Sequence, residues 1–225
     1  MYTIKQFIFN QFKLYSIITI SLIFSLFLLM VRVKLNHSFF YLFLVWNLFL
    51  AIVPFGITTY LRSKTNIKKI KLVLYFGAWL LFLPNAPYII TDLIHLRLSA
   101  DSYLWLDILV VTSFACNGLL LFYLSMIDMK NILKTYINKT ALHYLLITVL
   151  FASSFGVYLG RFLRYNSWEI LSNPKYLVLD ILNILSHPLA FKEAWLFTIL
   201  FGIFLTIGFW VFQHVYYKQV LELSE

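Results

Sequence analysis

The chain has 225 residues, 62% of them hydrophobic and only 12% charged, with a mean hydropathy of +0.85; this excludes a soluble globular domain and identifies an integral membrane protein. The net charge of +9 sits in short clusters between apolar runs, which is the pattern of membrane topology and not of a nucleic-acid face. A single cysteine, Cys116, excludes an internal disulfide framework and argues against a thiolate metal site.

Six stretches are long and apolar enough to span: 14–31, 39–61, 70–90, 103–127, 140–160 and 194–217. The first follows Lys5 and Lys13 but lacks a small-x-small cleavage pattern, so it reads as an uncleaved anchoring span. The second carries Asn47, Pro54 and Gly56 and reads as a kinked structural helix. In the third, Lys69 and Pro84 are separated by about 14 residues, roughly 21 Å of helix against a hydrocarbon core of about 30 Å. The helix therefore either kinks at Pro84 or stops there and restarts, and Asn85 as N-cap with Pro87 in the first turn suits a restart.

Asp107 near the start of the fourth span reads as an interfacial charge, whereas Asn117, deeper, is expected to hydrogen-bond across helices. The fifth span contains Ala152, Gly156 and Gly160 at four-residue spacing, a small-residue face for close helix packing or for a homo-oligomer. Beyond it, Asn166 and Glu169 stand three apart like a capping box. From Lys175 to Ser186 the spacing of Leu177, Ile181, Ile184 and Leu185 predicts a helix lying in the membrane interface, ended by His187-Pro188. The fold class is all-α: a polytopic bundle of six transmembrane helices, the third broken by proline, with an interfacial helix between the fifth and sixth.

Two stretches carry chemistry. In Leu-Pro-Asn-Ala-Pro-Tyr-Ile-Ile-Thr-Asp-Leu-Ile-His-Leu, residues 83–96, an α-helix over 87–96 would place Tyr88, Asp92 and His95 at i, i+4 and i+7 on one face. In Arg-Phe-Leu-Arg-Tyr-Asn-Ser-Trp-Glu, residues 161–169, two of the chain's five arginines stand three apart, where a planar guanidinium fork suits an anion better than lysine would. Of 18 basic residues, seven (Arg32, Lys34, Arg97, Arg161, Arg164, Lys175 and Lys192) fall on one side of the six spans and the remaining eleven on the side of the N-terminus, which predicts both termini inside. Two spans separate the two stretches, so both emerge on the outer side and are able to meet.

These two stretches resemble the signature of a family of bacterial integral-membrane proteins catalogued as a domain of unknown function, and the resemblance covers most of the chain. It implies the bacterial cytoplasmic membrane; it implies no activity, substrate or catalytic residue.

The residues themselves leave three functions open. As an enzyme on a lipid or lipid-linked anionic substrate of the outer leaflet, the chain would use Asp92 and His95 for acid–base chemistry. Arg161 and Arg164 would hold a phosphate or carboxylate, with Asn85, Tyr88 and Asn166 orienting it. As a carrier of small anions or protons, it would use the broken third helix as a half-helix binding site. As a scaffold, it would use a salt bridge from Asp92 to one arginine to clip two loops together. Asp92 and His95 alone are too few ligands for a metal, and no cofactor is expected.

Overall fold

A computed structural model describes residues 11–64, 67–98, 103–167, 169–172 and 174–222. Among these residues all regular structure is helical. The elements are α1 (Phe12–Asn36), α2 (Phe43–Arg62), α3 (Lys69–Phe82), a single turn α4 (Asn85–Tyr88), a 3₁₀ segment (Ile89–Leu98), α5 (Leu104–Leu133), α6 (Lys139–Arg161), α7 (Glu169–Ser172), α8 (Pro174–Ser186) and α9 (Lys192–Glu222). Among the described residues six stretches are long and apolar enough to cross a membrane: Phe12–Asn36, Phe40–Arg62, Lys69–Arg97, Leu104–Leu133, Lys139–Phe162 and Lys192–Lys218. They correspond one to one to the six expected spans: four contain them, and the second and fourth start one residue later, at Phe40 and Leu104, than expected. The chain forms two compact units, residues 1–132 and 133–225.

In the first unit, α5 is the most enclosed helix, with 61% of its most apolar window buried against 17% for α1. Lipid tails are as apolar as leucine, so helix association here depends on close packing and polar bonds between helices. Asn117 supplies one such bond, as expected: its amide nitrogen donates to Ser25 Oγ (2.8 Å) and the Ser21 carbonyl (3.2 Å) of α1. Arg32 near the end of α1 pairs with Asp107 of α5 at 2.8 Å, and Tyr15 near its start meets Thr59 of α2 at 3.2 Å. The first span is therefore held to its neighbours at three depths, which is more than an anchor requires. Asp107, read as an interfacial charge, is fully buried in that ion pair, because Arg32 on a separate helix supplies its counter-charge.

The third span breaks where its prolines require. Neither Pro84 nor Pro87 has an N–H to donate to the preceding turn. The regular helix stops at Phe82, α4 makes one turn, and the chain continues as ten residues of 3₁₀ helix. Asn85 does not cap the restart: Pro84 occupies the N-cap position, and the Asn85 amide donates backward to the Phe82 carbonyl (2.8 Å), closing the end of α3. The broken turn fits against α5 because position 118 is glycine. A methyl there would overlap the Ala86 carbonyl oxygen and lie 3.2 Å from Ile89 Cδ1. Pro54 lies inside α2, which remains helical on both sides of it.

In the second unit, α6 packs on α9. Ser154 Oγ donates to the Thr198 carbonyl (3.0 Å), and Gly202 of α9 faces the ring of Phe151, so close approach here uses a glycine on α9. Gly156 and Gly160 are half-buried and Ala152 is exposed. Helix α8 has the expected span and three distinct faces. Leu177 and Ile184 are buried; Val178, Leu182 and Leu185 form an exposed apolar stripe beside them; Lys175, Asn183 and Ser186 share the remainder with the exposed Tyr176 and Leu179. Leu185 thus belongs to the exposed stripe and not to the inward face, which is the division a helix lying at a membrane surface needs.

Candidate functional site

The polar residues of the first unit concentrate where α1 ends, α2 begins, the third span ends and α5 begins. At their centre is Asp92, 1% exposed. A carboxylate taken out of water is costly unless hydrogen-bonded or paired. Asn47 of α2 answers that cost by donating its amide to Asp92 Oδ2 at 2.8 Å. His95 lies one 3₁₀ turn further on, its Nε2 3.9 Å from Asp92 Oδ1, beyond hydrogen-bond reach but close enough for a protonated ring to attract the carboxylate.

The 3₁₀ geometry decides which residues share that face. With three residues per turn, positions i and i+3 eclipse, so Asp92 and His95 align with Ile89. The face that Tyr88 was expected to share with them rests on an α-helix of 3.6 residues per turn; in an ideal 3₁₀ run a residue four positions before Asp92 is offset by about 120°. Thr91 Oγ1 donates to the Tyr88 carbonyl at 2.6 Å, closing the junction between α4 and the 3₁₀ segment. Tyr88 and Asn85 are both half-buried.

His95 is held by aromatic rings. Phe40 and Phe43 approach it edge-on, with centroids 5.9 and 5.1 Å away, and the Tyr41 hydroxyl donates to its carbonyl at 3.4 Å. Tyr41 is itself fixed: the Arg32 guanidinium stacks 4.7 Å over its ring, and Arg32 Nη1 donates to the Ser38 carbonyl at 2.9 Å. A buried chain thus runs from Asp107 through Arg32 and Tyr41 to the backbone of His95. Sequence reasoning missed Asn47, Tyr41, Arg32 and Asp107 as parts of this cluster. Asn47 alone left a signal, as a lone amide within an otherwise apolar span.

At the other end of the same unit, Arg62 of α2 pairs with Asp128 of α5, and Thr58 Oγ1 lies 3.5 Å from Asp128 Oδ2. This partly buried pair joins the C-terminal ends of α2 and α5 and is remote in sequence from both motifs.

The second motif lies in the second unit. Arg161 ends α6 and is half-buried; Arg164 is exposed and has left-handed backbone, φ 61°. The Tyr165 amide turns back to the Leu159 carbonyl at 3.1 Å, so this backbone reverses the chain after α6. Glycine is the low-cost residue at such a position, and a side chain with a Cβ raises its energy by about 1 kcal/mol or more. Asn166 and Glu169 form the expected capping contact: Glu169 Oε1 accepts from the Asn166 amide nitrogen (3.0 Å) and from its side chain (2.9 Å). The Asn166 side chain is thereby engaged in local structure. Trp168 of this motif lies outside the described residues. Tyr165 donates to Asp180 Oδ2 of α8 at 2.7 Å, and that bond, with desolvation and the nearby Asp180 and Glu169 charges, pushes its pKa up to about 12.

Among the described residues no group of three or more His, Cys, Asp or Glu side chains is placed to hold a metal ion. Neither a curated protein nor a solved structure matches the chain. A family model does match residues 46–207, from the first turn of α2 to the middle of α9; that segment includes Asn47, Asp92, His95, Arg161, Arg164 and Asn166 and excludes Arg32 and Tyr41. The chain is thus a multi-pass, all-helical member of the family described as "Protein of unknown function (DUF1361)".

Proposed function

We propose that the chain is an enzyme of the bacterial cytoplasmic membrane, with both termini inside, acting on a lipid or lipid-linked anionic substrate at the outer leaflet. The observation that carries this reading is the buried Asp92 carboxylate, hydrogen-bonded by Asn47, with the half-exposed His95 on the same face. A carboxylate placed beside an imidazole stabilises the imidazolium that forms when the ring takes a proton, which suits His95 to act as general base and then general acid. Asp92 is too enclosed to meet substrate directly, so it acts through His95. Arg161 and Arg164 of the second unit, three residues apart, are a guanidinium pair suited to an anionic group. That an arginine occupies left-handed position 164, where glycine would relax the backbone, is consistent with a use for its guanidinium.

The broken third helix also suits a carrier. The buried residues of the first unit weigh against that reading, since they are mostly apolar (Leu48, Ala51, Leu83, Phe114 and Phe122 among them) and their buried polar groups Ser25, Asn117 and Ser125 carry no titratable side chain. The test is a set of full-length variants in a strain lacking the native gene. His95→Ala and Arg164→Lys are expected to insert and fold yet fail to restore the wild-type phenotype. Loss of folding in both would favour the clip, and full restoration by both would refute the enzyme reading.

A further inference from the structure

A second feature lies beside the arginine motif. Phe162, Leu196, Phe197, Leu200, Phe201 and Phe204 line an open groove of about 440 Å³ on the α6–α9 pair, with Glu193 at its end. The rings form a continuous ladder: Phe162 meets Phe197 edge-on at 5.4 Å, Phe197 stacks on Phe201 at 5.2 Å, and Phe201 stacks on Phe204 at 5.7 Å. From Glu193 to Phe204 the groove follows α9 for eleven residues, about 16 Å at 1.5 Å per residue. That is close to half of a hydrocarbon core of about 30 Å, the depth of one leaflet.

The groove's upper ring, Phe162, directly follows Arg161 and lies two residues before Arg164. Its mouth and the strained arginine turn therefore belong to one short segment. Arg161, Arg164 and Lys192 against Glu193 leave a net positive formal charge beside the mouth, which complements an anionic phosphate headgroup.

Resting on the reading above, we infer that this groove binds the alkyl or prenyl chain of a phosphate-bearing lipid whose headgroup lies on Arg161 and Arg164. The phenylalanine ladder selects for one chain in an ordered position, whereas the convex apolar faces elsewhere on α9 meet bulk lipid. The shared chemistry, one phosphate on a long apolar chain, is common to diacyl phosphatidates and polyprenyl phosphates.

The test uses the purified full-length protein in a neutral detergent, titrated with hexadecyl phosphate and separately with hexadecyl phosphocholine, with bound ligand counted by native mass spectrometry. The phosphate amphiphile is expected to bind about tenfold tighter or more, as a charge-assisted contact implies. Arg164→Gly, which suits the left-handed backbone, is expected to remove that preference and leave phosphocholine binding unchanged. Leu200→Trp places a large ring in the groove from a position 58% exposed, so folding tolerates it, and it is expected to weaken both ligands. Competition by diacyl phosphatidate and by polyprenyl phosphate then tells which chain displaces the probe. Equal binding of the two amphiphiles, or indifference to Leu200→Trp, overturns the inference. His95→Ala separates it from the proposed reaction: retained ligand binding with lost activity supports both. A failed groove with an inactive His95→Ala removes the groove alone, and a confirmed groove with a fully active His95→Ala removes the reaction alone.

Discussion

The bond between Asn47 and Asp92 gives a quantitative test of how the site is assembled. Its 2.8 Å length and the 1% exposure of Asp92 describe a hydrogen bond to a charged acceptor screened from water, a class that contributes about 1.5–3 kcal/mol. Asn47→Ala should remove that amount in the wild type. In an Asp92→Asn background the acceptor is neutral, so the same change should cost only about 0.5–1.5 kcal/mol. For a chain of this length, each kilocalorie corresponds to roughly 2–4 °C in unfolding temperature, so the wild-type loss is roughly 3–12 °C. The assay is thermal unfolding of the four proteins in one detergent, followed by a thiol-independent light-scattering or intrinsic-fluorescence signal. An Asn47→Ala cost that is the same in both backgrounds, within about 0.5 kcal/mol, would refute the claim that the amide serves the Asp92 charge.

Three further outcomes are expected. Gly118→Ala gains about 1 kcal/mol of helix propensity but drives a methyl into the Ala86 backbone carbonyl, an overpacking cost of about 1–3 kcal/mol; a net loss of stability in thermal unfolding is the prediction, and a stabilised protein contradicts it. Arg32→Met leaves the buried Asp107 carboxylate unpaired and should cost about 3–5 kcal/mol, most of it recovered in the Arg32→Met/Asp107→Leu double variant; additive losses would show that the pair is not a unit. Tyr165 has a folded pKa of about 12 against an ordinary value of 10.0, so its bond to Asp180 contributes fully below pH 10 and is lost as pH rises toward 12. Stability measured over that window should fall more steeply in the wild type than in Tyr165→Phe, and parallel curves would exclude the bond as a contributor.

The elements were legible in the sequence wherever one local cause sufficed. Fourteen residues between Lys68 and Leu83 are too few to span, and two prolines three apart cannot sustain a helix, so the break in the third span follows from covalent structure. The contact of Asn166 with Glu169 is equally local. A helical pattern of apolar residues does not distinguish 3.6 from 3.0 residues per turn over ten positions, and it is the 3.0 period that aligns Asp92 with His95.

Partners distant in sequence were less visible. Asn47 lies 45 residues from Asp92, and Arg32 lies 75 from Asp107, with no local periodicity linking either pair. Arg32 and Asp107 each sit near a span end, where a charge ordinarily meets water, so each taken alone reads as interfacial. Their burial is a property of the packed helices.

The central claim is that His95, set by Asp92, performs acid–base chemistry on a phosphate-bearing lipid. The most direct measurement reconstitutes the full-length chain with a total membrane-lipid extract and follows anionic lipid species by mass spectrometry over time, for the wild type, Asp92→Asn and His95→Ala. The account predicts that the wild type converts one phosphorylated lipid, while both variants remain folded and leave the extract unchanged. A lipid pool that the wild type does not alter, or that all three alter equally, would contradict it.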